Sequence, residues 1–362
     1  MKIMFCISSL SKGGAERVIS ILANKLIQEN EIEIIINTKL NKAYEFDDRI
    51  KILELDKKIN TNPLLRNMAR IKLINEELKK EKPDIIISFL PMPSFRILYA
   101  NRKIKIPIII ADRNDPKQEY KSCIYKFLMR WLYPKADGFV FQTNEQKEYF
   151  KKEIQEKSTV IFNPIKEEFL VEENNKKERE NVIVSVGRLV EQKNQKVLIN
   201  TFSKIAKKYP EYNLKIFGEG NLREELQKQI DDLNMRDKIC LCGVCDNIKE
   251  QLEKAKIFVL PSNYEGMPNA LIEAMASGCS VISTDCPCGG PRELIENYKN
   301  GILVPINNEQ ELANKIEYLI RNEESAKEIG ENAKKIKEKL NPNNILGQWK
   351  SYITHILEKE AK

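Results

Sequence analysis

The segment KIFVLPSNYEGMPNALIE, residues 256–273, decides the fold class of this chain. Its apolar beginning predicts a buried strand over 256–260. Its end predicts a helix that begins near Pro268, because proline is tolerated in a first helical turn, where its missing N–H is not needed. A strand, a short loop and a helix in direct succession form the repeating unit of parallel α/β sheets.

The helix that follows this strand begins between two carboxylates. Asn269, Ala270 and Leu271 are expected to offer free N–H groups at the positive end of the helix dipole, which suits a phosphate. Glu265 precedes this position and Glu273 follows it by about one and a half turns, at roughly 3.6 residues per turn. The arrangement suits a diphosphate with hydroxyl groups on both sides, as in a nucleotide sugar. An ordinary strand-loop-helix with a solvated glutamate is the alternative.

The same alternation of strand and helix patterns extends over the whole chain and predicts two parallel sheets. Strands are predicted at 3–7, 32–37, 85–89, 106–111, 138–142, 182–186, 214–217, 239–242, 256–260, 281–283 and 302–304. A highly charged stretch, 166–181, predicts a linker. We therefore expect domains at 1–165 and 166–340, with a last helix at 341–362 that returns to the first domain.

Two further loops have the composition of phosphate sites. Arg188 and Lys193 follow the strand at 182–186, where a guanidinium fork and a compact ammonium could flank one diphosphate. Gly13 and Gly14 follow the first strand and open a helix, which allows close backbone approach to a ligand. A solvated loop is the alternative for Arg188 and Lys193.

The segments EGMPNALIEAMASG at 265–278, GRLVEQK at 187–193 and GGAER at 13–17 resemble glycosyltransferase family 4. The resemblance implies a GT-B fold, with two Rossmann-like parallel-sheet domains and the active site in the cleft between them. The first domain would bind the acceptor and the second the nucleotide sugar. It implies catalytic roles for Glu265, Arg188 and Lys193. The donor-binding residues that it implies are Gly13, Gly14, Arg188, Lys193, Val244, Glu265, Gly266, Met267, Asn269, Ala270, Leu271 and Glu273.

The expected reaction is the transfer, with retention, of a hexose or N-acetylhexosamine from a UDP donor to a glycan. The acceptor is expected to be linked to a polyprenyl diphosphate, and a soluble acceptor is the alternative. Arg188 and Lys193 would stabilise the leaving diphosphate, Glu265 would orient the donor sugar and Glu273 the ribose. No metal or other cofactor is expected. A non-catalytic nucleotide-sugar-binding scaffold and a UDP-N-acetylglucosamine epimerase are the other functions considered.

One departure from the family pattern concerns histidine. Many members have a histidine near the reacting sugar, whereas the single histidine here is His355, in the last predicted helix. Where the family histidine often falls, this chain has Arg113 and Asn114, which we expect near the donor or acceptor. A turn at 114–116 is the alternative.

The charge is concentrated in the first half of the chain. Residues 1–163 carry 30 basic and 21 acidic side chains, whereas the whole chain has a net charge of +7. No nucleic-acid-binding motif accompanies this charge, which favours an anionic membrane surface or a phosphorylated acceptor. In 117–135, Tyr120, Ile124, Phe127, Leu128 and Trp131 recur at helical spacing beside Lys121, Lys126 and Arg130. They predict either a core-packing stripe or an interfacial helix.

The chain has no apolar run of about 18–20 residues that could span a membrane. Its eight cysteines without a secretion signal predict a reducing compartment. We therefore expect a cytoplasmic protein that is peripheral on the inner face of the membrane. We expect Cys240, Cys242 and Cys245 to be small apolar side chains that fill gaps in the packing. The alternative is a zinc site, which needs about four convergent ligands.

Overall fold

Two all-parallel sheets make up the β-structure of this computed structural model, which describes residues 1–41, 43–59, 62, 65–171 and 178–360. Residues 172–177 of the predicted linker and 361–362 of the predicted last helix lie outside the described residues. The described strands are β1 Lys2–Ile7, β2 Glu31–Ile36, β3 Lys51–Glu54, β4 Ile85–Phe89, β5 Ile108–Ala111, β6 Gly138–Phe141, β7 Ser158–Val160, β8 Glu180–Val186, β9 Asn213–Phe217, β10 Ile239–Gly243, β11 Ala255–Leu260, β12 Ser280–Thr284 and β13 Ile302–Val304.

Helices follow most of the strands and cover the sheets. The described α-helices are α1 Gly14–Leu26, α2 Arg66–Glu81, α3 Pro91–Asn101, α4 Pro116–Glu119, α5 Cys123–Leu132, α6 Asn144–Glu148, α7 Lys152–Glu156, α8 Gln195–Lys208, α9 Arg223–Asp232, α10 Ile248–Lys254, α11 Asn269–Ala276, α12 Gly290–Leu294, α13 Glu309–Arg321, α14 Glu323–Ala333, α15 Ile336–Lys339 and α16 Pro342–Glu360. Short 3₁₀ turns occur at Leu55–Lys58, Tyr133–Lys135, Glu167–Phe169 and Glu191–Lys193.

The chain divides into two units. The first unit joins Met1–Pro164 to Pro342–Lys362, and the second unit is Ile165–Asn341. The first unit, which contains both chain ends, has the sheet order β3-β2-β1-β4-β5-β6-β7, and the second has β10-β9-β8-β11-β12-β13. The α/β fold class with two parallel sheets is thereby confirmed. All eleven predicted strands are present. Strands β3 and β7 were not predicted, because neither contains a fully buried residue and so neither forms a buried apolar run.

Each sheet changes its direction of growth at a central strand. In the first sheet β1 pairs with both β2 and β4, and in the second β8 pairs with both β9 and β11. At such a switch point the loops after neighbouring strands diverge and leave a crevice for ligands at the carboxyl ends. In the second unit these are the loops after β8 and β11, which carry the predicted diphosphate residues and the predicted carboxylates.

Helix α16 is held to the first sheet by two aromatic side chains. Trp349 is fully buried and stacks on Phe89 with a centroid distance of 6.2 Å. The hydroxyl of Tyr352 accepts a hydrogen bond from the Phe139 N–H at 3.0 Å. These contacts explain why the last helix is part of the first unit.

The prediction that the apolar residues of 117–135 form one stripe on one helix is wrong. Tyr120 lies in a turn between α4 and α5 and is 1% exposed, and Leu128 packs against the core. Ile124, Phe127 and Trp131 instead point outward from α5, with exposures of 71%, 65% and 45%. The helix therefore has an apolar outer face as well as an apolar inner face.

Candidate functional site

The loops after β8 and β11 are joined by hydrogen bonds in the second unit. The Asn263 N–H donates to the Gln192 carbonyl at 2.8 Å, and the Gln192 side-chain amide donates to the Tyr264 carbonyl at 3.0 Å. The Asn263 side-chain amide also donates to the Glu191 carbonyl at 2.8 Å. Residues distant in sequence are therefore fixed to one another at the carboxyl ends of β8 and β11.

An ion pair lies at the junction of these two loops. Lys193 Nζ is 2.5 Å from Glu265 Oε1, and both side chains are largely buried, with exposures of 16% and 6%. The Ser262 hydroxyl donates to the same oxygen at 2.6 Å. Thr284 in turn donates its hydroxyl to the Ser262 carbonyl at 2.6 Å. The contacts from Lys193 and Ser262 are both made to Glu265 Oε1, and no described residue donates to Oε2, so Oε2 can accept a ligand hydroxyl.

Two glycines allow the close backbone packing around this pair. A Cβ at Gly290 would lie 1.6 Å from the Gly266 carbonyl oxygen, so only glycine fits beneath the turn that follows Glu265. Gly218 has φ of +141°, and a Cβ there would lie 2.0 Å from the Gly187 carbonyl oxygen. The loop after β8 is therefore supported by backbone contact.

Helix α11 begins one residue later than predicted. Pro268 is its N-cap, with an extended backbone, and Asn269 is the first helical residue. The Leu271 N–H donates to the Pro268 carbonyl at 3.1 Å, so the prediction that this N–H is free was wrong. Asn269 and Ala270 are half-buried at the helix start, and Glu273 is 5% exposed further along α11.

The remaining predicted donor residues of this unit differ in their exposure. Arg188 is exposed, and no carboxylate among the described residues pairs with its guanidinium. Its carbonyl accepts a hydrogen bond from the Gln195 side chain at 2.9 Å, which fixes the backbone beneath it. Met267 is buried, and Val244 is 56% exposed directly after β10.

In the first unit, Gly14 opens helix α1 and Gly13 is its N-cap. A Cβ on Gly13 would lie 2.1 Å from a Glu16 carboxylate oxygen. The Tyr44 hydroxyl donates to the Gly13 carbonyl at 2.9 Å. An acidic side chain of the protein itself therefore lies beside the predicted Gly-Gly ligand position.

Arg113 and Asn114 follow β5, as predicted, and have different surroundings. The Arg113 guanidinium lies over the rings of Phe89 and Trp349, at 4.8 Å and 5.6 Å, and donates to Asn163 Oδ1 at 3.2 Å. Burial lowers its pKa to about 9. The side chain of Asn114 donates to Glu119 at 2.7 Å.

Sequence reasoning missed the buried acid that precedes Arg113. Asp112 accepts hydrogen bonds from the hydroxyls of Tyr120 at 2.8 Å and Tyr133 at 3.2 Å. Burial raises the pKa of Asp112 to about 7, against the lowering effect of these hydrogen bonds. Since Tyr120 precedes α5 and Tyr133 follows it, one carboxyl group connects both ends of that helix to the sheet. Ser262, Thr284 and Gly290 were also missed, since their roles depend on contacts between distant segments.

Cysteines and acidic residues are side chains that could ligate a metal ion in this chain. Cys240 is exposed, whereas Cys242 and Cys245 are half-buried. Within the described ranges, the only group of three or more histidine, cysteine or acidic side chains close enough to share an ion is Glu33, Glu77 and Glu81. Lys51 already forms ion pairs with all three. His355 lies exposed on α16, remote in sequence from the loops described above.

Family models and known proteins place these observations in context. Residues 166–336 match the model described as "Glycosyl transferases group 1", and residues 12–169 match "Glycosyltransferase Family 4". The N-acetylgalactosamine-N,N'-diacetylbacillosaminyl-diphospho-undecaprenol 4-alpha-N-acetylgalactosaminyltransferase of Campylobacter jejuni subsp. jejuni serotype O:2 is 30% identical over 354 residues, 92% of this chain and 94% of its own. The chain belongs to glycosyltransferase family 4. It is an enzyme, and the predicted family is confirmed.

A second relative in this family 4 group comes from the same organism. The GalNAc-alpha-(1->4)-GalNAc-alpha-(1->3)-diNAcBac-PP-undecaprenol alpha-1,4-N-acetyl-D-galactosaminyltransferase is 29% identical and covers 98% of this chain and 99% of its own. The scaffold and epimerase functions are not supported, because both relatives are named glycosyltransferases.

Solved structures show the same fold. Anabaena Alr3699/HepE in complex with UDP is similar with a TM-score of 0.82 and 18% identity, over 98% of this chain and 100% of its own. Sucrose-phosphate synthase from Thermosynechococcus elongatus gives a TM-score of 0.86 and 15% identity, over 99% of both chains. The predicted GT-B fold is confirmed. Among the described residues, no helix is both long and apolar enough to cross a bilayer.

Proposed function

We propose that this enzyme transfers a hexose or N-acetylhexosamine from a UDP donor, with retention, to a glycan linked to a polyprenyl diphosphate. The observation that carries the proposal is the arrangement around Glu265. Lys193 and Ser262 hold one carboxylate oxygen, and the other has no recorded donor among the described residues. Such a carboxylate is fixed in position and can orient a sugar hydroxyl.

The same arrangement would stabilise the leaving group. Lys193 lies where a diphosphate bound at the start of α11 could share its charge, and the exposed Arg188 could close on the other side. Charge that grows on the departing diphosphate would then be met by fixed cations, which is a strong form of transition-state stabilisation. Glu273 would contact the ribose and Val244 the base. The chemistry requires neither a metal nor a histidine base.

The proposed retention involves no covalent intermediate on the protein. Glu265 is already engaged by Lys193 and Ser262, which makes it a poor nucleophile. We therefore propose that the acceptor hydroxyl attacks from the side of the leaving diphosphate, which assists its deprotonation. Arg113 and Asn114 in the other unit would contact the acceptor or the donor.

The acceptor class is supported by the relatives. Both Campylobacter jejuni enzymes are named for glycans linked to undecaprenol through a diphosphate. The purified enzyme should be tested with UDP-glucose, UDP-galactose and their N-acetylated forms. The acceptors would be a polyprenyl-diphosphate oligosaccharide and the same oligosaccharide without the lipid diphosphate.

We expect transfer to the lipid-linked acceptor and a product with the anomeric configuration of the donor, as determined by NMR. Glu265→Gln should lower the rate of transfer by about 100- to 1000-fold, whereas Glu324→Gln, a matched change at an exposed glutamate, should leave it unchanged. A product of inverted configuration would refute retention. Transfer to the free oligosaccharide alone would refute the acceptor class.

We also propose that the enzyme attaches to an anionic membrane surface through the outer face of α5. This face presents Ile124, Phe127 and Trp131, and Lys121, Lys126 and Arg130 are exposed around it. Aromatic and aliphatic residues flanked by cations are the composition of helices that lie in the interface. Reversal of these three charges to glutamate should weaken vesicle binding while nucleotide binding stays intact.

A further inference from the structure

A cavity lies at the amino end of the first sheet, on the opposite edge from Arg113. It has a volume of about 340 Å³ and opens between the end of α3 and the residues that follow α5. Its charged lining consists of Arg102, Lys105, Lys135 and Asp137. Lys105 lies just before β5 and Asp137 just before β6, so the cavity is separate from the loops at the carboxyl ends of these strands.

The charge in this cavity is unbalanced. Arg102, Lys105 and Lys135 are exposed, and no carboxylate among the described residues forms an ion pair with any of them. The carboxylate of Asp137 accepts a hydrogen bond from the Ile108 N–H at 2.8 Å, which directs part of its charge to the backbone. Three cations against one acid make this cavity suited to an anion.

The loop that carries Lys105 is held in place by hydrogen bonds to Asn101. Asn101 donates its side-chain amide to the Ile106 carbonyl at 2.7 Å and accepts from the Ile106 N–H at 3.1 Å. The Lys105 N–H donates to the Asn101 carbonyl at 2.9 Å, with Lys105 in the left-handed region at φ of +65°. The ammonium group is therefore presented from a backbone that is already fixed.

Aromatic rings connect the cavity to the outer face of α5. The Arg102 guanidinium lies 4.0 Å from the Tyr99 ring, and Lys135 Nζ lies 4.3 Å from the Trp131 ring. The ring centroids of Tyr99 and Trp131 are 6.0 Å apart, and Phe127 stacks on Trp131 with a centroid distance of 6.4 Å. The cationic rim of the cavity and the exposed apolar residues thus form one continuous surface.

We propose that this cavity binds the phosphate-bearing headgroup of an anionic phospholipid when the outer face of α5 enters a bilayer. Apolar residues at the hydrocarbon boundary and cations beside them match the two parts of such a lipid. Tyr99 and Trp131, with their polar and apolar ends, suit the interface between these two parts. The inference rests on the membrane attachment proposed above and adds a specific headgroup site to it.

The test uses the full chain and vesicles of phosphatidylcholine with or without phosphatidylglycerol, separated by sedimentation at low salt. The cavity variant R102Q/K105Q/K135Q should bind the anionic vesicles about 100-fold more weakly, at roughly fivefold for each basic residue near the surface. The control K207Q/K228Q/K327Q removes three exposed lysines of the other unit and the same total charge, and should bind like the parent. Equal UDP binding by both variants would show that they are folded.

Three outcomes would count against the inference in different ways. If the parent binds neither kind of vesicle, the membrane attachment fails as well, while sugar transfer from UDP donors is unaffected. If the parent binds anionic vesicles and the cavity variant binds equally well, only the headgroup site is refuted. In the third outcome, inorganic phosphate releases the parent protein from anionic vesicles where chloride at equal ionic strength does not, and phosphate also binds the protein when no vesicles are present. The ligand is then free phosphate, and the lipid assignment is wrong.

Discussion

The ion pair between Lys193 and Glu265 predicts that substitutions of its two members have opposite effects on UDP binding. Glu265 Oε1 lies 2.5 Å from Lys193 Nζ, so the carboxylate neutralises the ammonium that the diphosphate needs. Glu265→Gln removes this competitor and a negative charge from the neighbourhood of the phosphates. Lys193→Ala removes the cation itself and leaves a carboxylate that is 6% exposed, with the Ser262 hydroxyl as its one remaining partner among the described residues.

The burial of the pair sets the magnitudes. A hydrogen bond to a charged group contributes about 1.5–3 kcal/mol, so Glu265→Gln should lower the Kd of UDP by about tenfold and Lys193→Ala should raise it by at least as much. Removal of one partner of a buried pair costs about 3–5 kcal/mol, and Lys193→Ala should reduce the free energy of unfolding by an amount near the lower end. Sugar transfer should fall in both variants, by about 100- to 1000-fold for Glu265→Gln if one transition-state contact is lost.

Calorimetric titration with UDP would give the two dissociation constants, and chemical denaturation would give the two stabilities. The double variant completes a cycle in which the coupling between the residues is measured directly. Glu324→Gln is the matched control for the carboxylate and should change neither quantity. The reasoning is refuted if both substitutions weaken UDP binding to the same extent, because the carboxylate would then support the diphosphate rather than compete with it.

Three other predictions concern the packing of Gly290, the buried acid Asp112 and the proposed independence of the reaction from metal and histidine. Gly290→Ala should displace the turn at Gly266 and abolish donor binding, because its Cβ would lie 1.6 Å from the Gly266 carbonyl oxygen. Gly347→Ala should stabilise α16 slightly, because among the described residues its Cβ would meet no atom within 4 Å outside its own stretch of helix. Equal effects of the two changes in UDP titrations would contradict this. Asp112 has its pKa raised from 3.8 to about 7, so its contribution to stability is present below the unfolded pKa and is lost as the pH rises through 7. Asp112→Asn should therefore flatten the pH dependence of unfolding between about pH 4 and 8, and an unchanged slope would show that the raised pKa is not real. Sugar transfer should persist in a chelator and in His355→Ala, since the proposed chemistry uses neither metal nor histidine, and loss of activity in either case with native stability would overturn that proposal.

Sequence-based prediction was most accurate where the candidate site residues lie in elements that follow one another directly along the chain. The strand at 256–260, its loop and the helix after it were predicted within one or two residues, because buried apolar runs and a proline mark such boundaries strongly. The loops after β8 and β11 could be placed at one sheet edge, since carboxyl ends of parallel strands meet there. The hydrogen-bonded contact between Lys193 and Glu265, 72 residues apart, could not be predicted, because it depends on side-chain directions set by the packed loops.

The errors have different causes. Leu271 was expected to offer a free N–H because the first amides of an α-helix have no carbonyl four residues back. In the structure this N–H instead donates to the Pro268 carbonyl three residues back, a 3₁₀-type bond that tightens the first turn. Residues 117–135 were treated as one helix, although the structure separates α4 from α5 and buries Tyr120 in the turn between them. The assumption of one continuous helix therefore placed the buried Tyr120 on the same face as the exposed Ile124, Phe127 and Trp131.

The paired state of Lys193 also bears on how a donor would be selected. Without the pair, an ammonium that is 16% exposed would face desolvation without compensation, and the two loops would lose one of their links. A bare phosphate could offset only the loss of the Lys193 contact. A nucleotide sugar could replace both interactions at once, because its diphosphate would bind Lys193 and a sugar hydroxyl would donate to Glu265. The pair would therefore favour the complete donor over its fragments, and UDP alone should gain more from Glu265→Gln than a UDP-sugar does. Equal gains for UDP and the UDP-sugar would show that Glu265 has no contact with the sugar.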